Sequence, residues 1–167
     1  KNPKSFIDLT VGELKSVNVH FVGFVNMPGV HMIHPFSNII TGLIQAGGVN
    51  NKGSLRDIQV LRNNEVLGKT DLYNYLFNGK SLGDVRLMDQ DIIYIPPRLS
   101  TIPITGSVLT PGYYELTNDD LLNDFIKIAG GKDRNASSTV FVYRNNNKSD
   151  GTSFLLNANQ TINFKLF

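Results

Sequence analysis

The chain contains no cysteine, which excludes disulfide frameworks, thiolate metal sites and cysteine nucleophiles. Excess charge is nearly absent as well: 16 Lys and Arg against 14 Asp and Glu leave a net +2. No Lys/Arg run gathers enough charge on one face to mark a nucleic-acid partner. Long hydrophobic runs are missing, and none approaches the roughly 18–20 residues that a membrane-spanning helix needs. No initiator methionine or signal peptide precedes Lys1, and Phe167 falls inside a strand-like pattern, so the chain reads as a soluble fragment of a longer protein. What is present is ordinary for a folded domain, with 41% hydrophobic and 18% charged residues.

The informative feature is repetition. Gly23-Phe24-Val25-Asn26-Met27-Pro28-Gly29 is followed by Ala46-Gly47-Gly48. Downstream, Gly106-Ser107-Val108-Leu109-Thr110-Pro111-Gly112 leads to Ala129-Gly130-Gly131. The offset is 83 throughout (23 to 106, 28 to 111, 46 to 129), with no gap needed in either span. Pro-Gly fits a turn in which Pro presets φ and Gly accepts a positive one, and the paired glycines after alanine fit a helix stop. Neither copy runs on into Gly-Lys-Ser/Thr, and each Pro-Gly leads into a strand, so the stretch is a hairpin hinge and not a phosphate cradle.

Around these markers the order of elements can be read. Thr10-Val11-Gly12-Glu13 has capping-box spacing in a lead-in segment over 1–16. Val17 to Val22 alternates as a half-buried strand, and Val30 to Ile33 returns. Ser37 is the expected N-cap of a helix over about 38–46, with Ile39, Ile40, Leu43 and Ile44 as its apolar face. Ile58–Arg62, a turn at Asn63-Asn64, and 65–69 make a hairpin; Asp71 caps a short helical turn; Ile92–Ile95 is a strand stopped by Pro96-Pro97.

The second copy replays this with strands at 102–105 and 113–116. A helix capped by Asn118 or Asp119 follows, its stripe formed by Leu121, Leu122, Phe125, Ile126 and Ala129. Pro103 marks its strand as an edge. Strands at 140–144 and 153–156, joined through Asn145-Asn146-Asn147, complete it. The expected fold class is therefore α+β, each copy a small mixed sheet folded over one helix, with domains at 17–98 and 99–167.

With those residues placed, the sequence resembles the soluble-ligand-binding β-grasp (SLBB) family, and within it the tandem SLBB region of Wza-type polysaccharide and capsule export proteins. The carriers are Val22–Gly29, Gln45-Ala46-Gly47-Gly48, Gly53–Asn63, Asp71-Leu72-Tyr73, Asp84–Pro97, and the second Gly106–Gly112 with Ala129-Gly130-Gly131. Gln90 departs from the family's Asp-Gly-Asp, so the turn there is expected to differ. The resemblance implies a non-enzymatic periplasmic module of an outer-membrane-associated exporter, with no cofactor. It implies as partners a weakly held polysaccharide chain, further copies of the full-length protein, and an inner-membrane polysaccharide co-polymerase. The rival reading is a receptor module for a small ligand or glycan.

Each candidate side chain also has a plainer role. Phe24, Phe36, Tyr113 and Tyr114 offer flat faces for stacking on sugar rings, or else pack on the neighbouring repeat or subunit. His31 and His34 lie three apart on a strand and point to opposite faces, which is poor geometry for one ion. Asp89 and Asp91 lack the further oxygens a calcium loop needs and suit turn hydrogen bonds better. Asp119-Asp120 complement a helix start, and the serines sit in turns and caps, none read as a nucleophile elbow. Arg56, Arg62, Arg86 and Arg144 suit either an acidic polymer or local carboxylates. Gly23, Pro28, Gly29, Gly47, Gly48, Gly106, Pro111, Gly112, Gly130 and Gly131 are assigned to turns and helix stops.

Overall fold

The computed structural model describes residues 12, 14–81, 85–118, 120–137 and 139–143, with the backbone of 152–155. The capping box at Thr10, the Asn145–Asn147 turn, and the residues Asp119 and Arg144 lie outside them. The first hairpin is β1 (Val17–Gly23) with β2 (Gly29–Ile33), paired antiparallel from Val17↔Ile33 to Phe21↔Gly29. Alternation sends Val19, Phe21 and Ile33 into the core and leaves Val30 and Met32 outside.

Helix α1 (Ile39–Gln45) begins one residue later than Ser37 implies. Its N-cap is Asn38, whose Oδ1 accepts from the Thr41 N–H at 3.0 Å while the Thr41 Oγ1 accepts from the Asn38 N–H at 3.0 Å. The buried face is also narrower than expected. Ile39, Gly42 and Leu43 face the sheet, whereas Ile44 is 70% exposed. Gly42 lets the helix lie close, since a Cβ there would meet Phe21 Cζ at 3.0 Å.

Strands β3 (Ile58–Arg62) and β4 (Glu65–Thr70) form the second hairpin. Asn63 and Asn64 both take positive φ, 52° and 64°, the mirror-image turn that matches strand twist. Asp71 caps α2 (Leu72–Asn78), accepting from the Tyr73 N–H, and Gly79 ends it in the left-handed region. Strand β5 (Ile92–Ile95) then enters between the hairpins, parallel to β1 and antiparallel to β3. The resulting order is β2-β1-β5-β3-β4.

The turn before β5 places a non-glycine residue at positive φ. Gln90 sits at φ 67°, held by Gln90 N–H to Asn18 O at 2.8 Å and by His20 Nε2 to its side-chain Oε1 at 3.0 Å. Three tertiary contacts offset the strain of that φ, the third being Asn18 N–H to Asp89 Oδ1 at 2.8 Å. That last bond holds the Asp89 carboxyl below its ordinary range.

The remainder comprises β6 (Ser100–Ile104) and β7 (Gly112–Leu116), antiparallel; α3 (Leu122–Ile128); and β8 (Thr139–Val142) with β9 (Thr152–Leu155), also antiparallel. Helix α3 starts later than an Asn118 or Asp119 cap requires. Its N-cap is Leu121 without a side-chain bond, and Leu122, Phe125 and Ile128 form the buried row. Leu121 and Ile126 are only half-buried.

Backbone hydrogen bonds recur at the same offset of 83. Asn26 N–H to Gly48 O has its counterpart in Leu109 N–H to Gly131 O, and Met27 to Ala46 in Thr110 to Ala129. The isolated bridge Val25↔Val49 matches Val108↔Lys132. Glycine φ angles follow: 85° and 89° at Gly23 and Gly106, 75° and 81° at Gly47 and Gly130, 80° and 84° at Gly48 and Gly131. The Pro-Gly turns do not match as closely, because Gly29 has φ 129° and Gly112 is not in the positive region.

Gly23 is also where β1 touches β5. A Cβ would fall 2.1 Å from Ile95 O, at a φ that side chains rarely adopt. Gly23→Ala is expected to destabilise the chain by about 2 kcal/mol, read as a lower urea midpoint. A midpoint within error of wild type would show that β1 and β5 separate there without cost.

Candidate functional site

Several contacts between residues before and after Pro96-Pro97 gather on Arg56. It lies between β3 and the Gly53-Ser54 bend, where Ser54 Oγ accepts from the N–H groups of Arg56 and Asp57 at 3.0 Å. The Arg56 guanidinium donates to Asp71 Oδ2 at 3.1 Å, Asp120 Oδ2 at 2.5 Å and the Glu115 carbonyl at 3.2 Å. It also lies over the Tyr73 ring, 4.9 Å from the centroid. Burial opposes its charge, but hydrogen bonding and attraction from Asp120 and Asp71 outweigh that and raise its pKa.

Two further bonds beside it also join residues on either side of Pro96-Pro97. Glu115 Oε2 accepts from the Leu55 N–H at 2.8 Å, and Tyr73 Oη accepts from the Glu115 N–H at 2.8 Å. Burial pushes the Tyr73 hydroxyl pKa up. Tyr73 and Leu55 pack against Tyr114, Phe125 and Ile128, so one apolar cluster is shared by residues from either side. Asp120, expected to complement a helix dipole, instead receives Arg56 and the Thr117 N–H at 2.6 Å. Beside this junction is a cleft of about 270 Å³ lined by Asn74 and Asn78 of α2 and Asp124 and Lys127 of α3, among others.

The four aromatic candidates separate into two kinds. Tyr114 is 8% exposed, its Oη donating to Thr110 O at 2.5 Å, and Phe24 packs against the first core. Their faces are occupied by protein. Tyr113 is 74% exposed and Phe36 60%, and Arg86 lies 5.4 Å over the Phe36 ring with His34 beside it. These two remain open to a ligand, but no contact joins them into one site.

The histidines are not gathered. His20 bonds to Gln90, His31 Nε2 meets Met27 O at 2.9 Å, and His34 Nδ1 accepts from the Phe36 N–H at 3.3 Å. Among the described residues no group of three or more His, Asp or Glu is placed to hold a metal. Asp91 accepts from Arg62 Nε and Nη2 at 2.8 and 2.9 Å and from the Met88 N–H at 2.8 Å, with no exposure to solvent. One serine does carry the elbow spelling, Gly79-Lys80-Ser81-Leu82-Gly83, which corrects the expectation that none does. Gly79 is the left-handed end of α2, whereas a nucleophile elbow leaves a strand and enters a helix. No helix among the described residues is long and apolar enough to cross a membrane.

The sequence offers Arg56 either an acidic polymer or local carboxylates as partners. Its long-range partners carried no local signal, because Asp120 lies 64 residues away. The only hint was a buried-looking bend, Gly53-Ser54-Leu55-Arg56, with arginine where a turn would be exposed.

Comparison with known proteins agrees with the resemblance. The SLBB domain family model matches residues 101–156. Two Escherichia coli proteins, each named polysialic acid transport protein KpsD, are 34% identical over 110 residues. Each alignment covers 65% of this chain and 20% of the relative, so the chain matches about a fifth of the length of those curated relatives. Residues 101–156 of this chain are thus similar to an SLBB domain.

Proposed function

We propose that this chain is a non-enzymatic periplasmic module of an outer-membrane-associated polysaccharide exporter, built as two tandem β-grasp units over 17–98 and 99–167. The observation that carries the reading is the 34% identity to polysaccharide transport proteins. The recurrence of backbone bonds at a fixed offset supports the two-unit division. In the full-length protein, copies would assemble around a polymer path and meet an inner-membrane polysaccharide co-polymerase.

A conduit works through many weak contacts, because tight binding at any one would stall transport. Exposed Tyr113 and the Phe36–Arg86 pair suit such contacts better than the packed Phe24 and Tyr114. The double substitution Phe36→Ala, Tyr113→Ala in the full-length protein is expected to lower surface polysaccharide roughly fivefold, about 1 kcal/mol of transport barrier, at unchanged protein level. Unchanged export would remove both residues from the path. Size analysis of the full-length protein in detergent tests assembly, and a monomer at high concentration would end the ring model.

The rival reading, a receptor for a small glycan, draws on the cleft beside Arg56 and its amide and charged lining. Oligosaccharide titration distinguishes them. The conduit reading expects dissociation constants above about 1 mM, whereas micromolar affinity for one defined sugar supports the receptor.

A further inference from the structure

The turn that follows each helix stop is built the same way. Asp133 N–H donates to Ser107 O at 2.9 Å, and Ala136 N–H to Asp133 O at 3.0 Å. At an offset of 83 stand Asn50 N–H to Phe24 O, 2.9 Å, and Gly53 N–H to Asn50 O, 3.0 Å. The residues at the corner differ. The first turn reads Asn50-Asn51-Lys52-Gly53 and the second Asp133-Arg134-Asn135-Ala136.

Asn135 therefore stands where the first copy has Lys52, and the turn forms with either. Neither residue has a positive φ, so the corner does not use asparagine's tolerance of the left-handed region. Asn135 is exposed, and its side-chain amide bonds to no described residue. Packing and backbone geometry leave this asparagine without a structural duty.

Its neighbours single it out. Asn135-Ala136-Ser137 is an Asn-x-Ser/Thr triad without a central proline, the acceptor spelling for an N-linked glycan on a surface turn. Ser137 is exposed too, and its Oγ accepts from the Thr139 N–H at 3.1 Å, which leaves the hydroxyl proton free to donate. Periplasmic transferases also read an acidic residue two positions before the asparagine, and Asp133 holds that place. Its Oδ1 accepts from the Arg134 N–H at 2.6 Å, fixing the approach to the corner. Further triads begin at Asn147 and Asn159, but two positions before them stand Asn145 and Asn157, without a carboxylate.

We propose that Asn135 is an acceptor for N-linked glycosylation, its donor a lipid diphosphate-linked oligosaccharide. In the transfer, Asn135 Nδ2 bonds to the anomeric carbon of the first sugar. The bond from that carbon to the diphosphate oxygen breaks, and the lipid diphosphate leaves with the electron pair. One amide proton passes to a base of the transferase. The proposal rests on the periplasmic reading above only for the compartment where chain, donor and enzyme meet.

The test incubates the folded full-length protein with a purified bacterial oligosaccharyltransferase and its lipid-linked glycan, followed by mass spectrometry. The tryptic peptide that carries Asn135 and ends at Arg144 is expected to gain the whole glycan mass. Asn135→Gln and Ser137→Ala are each expected to lose that gain completely at unchanged circular dichroism, and Asp133→Ala to lose most of it. No gain at Asn135, in a reaction that modifies a control acceptor protein, overturns the proposal. A gain at Asn147 or Asn159 in its place overturns it as well. Expression of the full-length protein in cells with the transferase in their periplasm keeps the two readings apart. Modification in vitro with none in those cells removes the periplasmic reading and leaves the acceptor standing; none in either removes the acceptor.

Discussion

Asp91→Ala is expected to lower stability by about 4 kcal/mol, the largest loss from any single charged residue among those described. The substitution removes three acceptor contacts at once: two from Arg62 and one from the Met88 N–H. Arg62 then keeps only its bond to Arg86 O, and the Met88 N–H loses the carboxylate. The hydrogen bond to Asp91 also holds the Arg62 pKa above its ordinary value, a sign that the pair favours the charged guanidinium. Urea unfolding followed by circular dichroism measures the loss as a lower midpoint at unchanged slope. Asp91→Asn keeps one acceptor oxygen and should fall between alanine and wild type. A loss under about 1 kcal/mol for the alanine variant would mean that water replaces the carboxylate, as at an exposed pair.

Arg56→Ala comes next, at about 3 kcal/mol, and its signature differs in kind. Asp71 and Asp120 would face each other without their shared cation, and the Glu115 carbonyl would lose a donor. Because those partners come from both sides of Pro96-Pro97, the cost falls on the junction more than on either core. Unfolding is expected to split, with fluorescence of Tyr73 and Tyr114 changing at lower urea than the circular dichroism of the five-stranded sheet. A cycle with Asp120→Ala should give a coupling energy of at least about 1 kcal/mol, since the two are in direct contact. Arg56→Lys is expected to recover little, because an ammonium on a flexible stem cannot serve three acceptors in one plane. A single coincident transition in Arg56→Ala would show that the junction is held by the shared apolar cluster alone.

Local chemistry made much of the fold legible. The Asn63-Asn64 turn, the Asp71 cap and the Pro96-Pro97 strand stop each depend on residues within a few positions of one another, and each lies where the sequence puts it. Helix edges were less legible. At α1 the side chain that caps is Asn38 and not Ser37, because Thr41 returns the bond three residues on. At α3 the N-cap is Leu121 without a side-chain bond, and Asp120, read as complementing the helix start, is claimed by Arg56. The aromatic candidates show the same division: period-two alternation separates Tyr113 from Tyr114 but does not say which one faces the helix. That choice is made by Phe125 and Ile128, which take Tyr114 into their cluster.

The position of β5 has a consequence in time. His20 pairs with Ile92, 72 positions further along the chain (20 to 92), and α1, a hairpin and α2 all lie between them. A growing chain emitted at roughly 5–20 residues per second would leave β1 waiting roughly 4–14 s for its inner neighbour. During that interval the hairpin β1–β2 presents Val19 and Phe21 without β5 beside them. Such long-range parallel pairing raises contact order and slows folding. A holdase that shields apolar strand edges is therefore expected to raise the folded yield of nascent chains more than that of full-length chains refolded from urea.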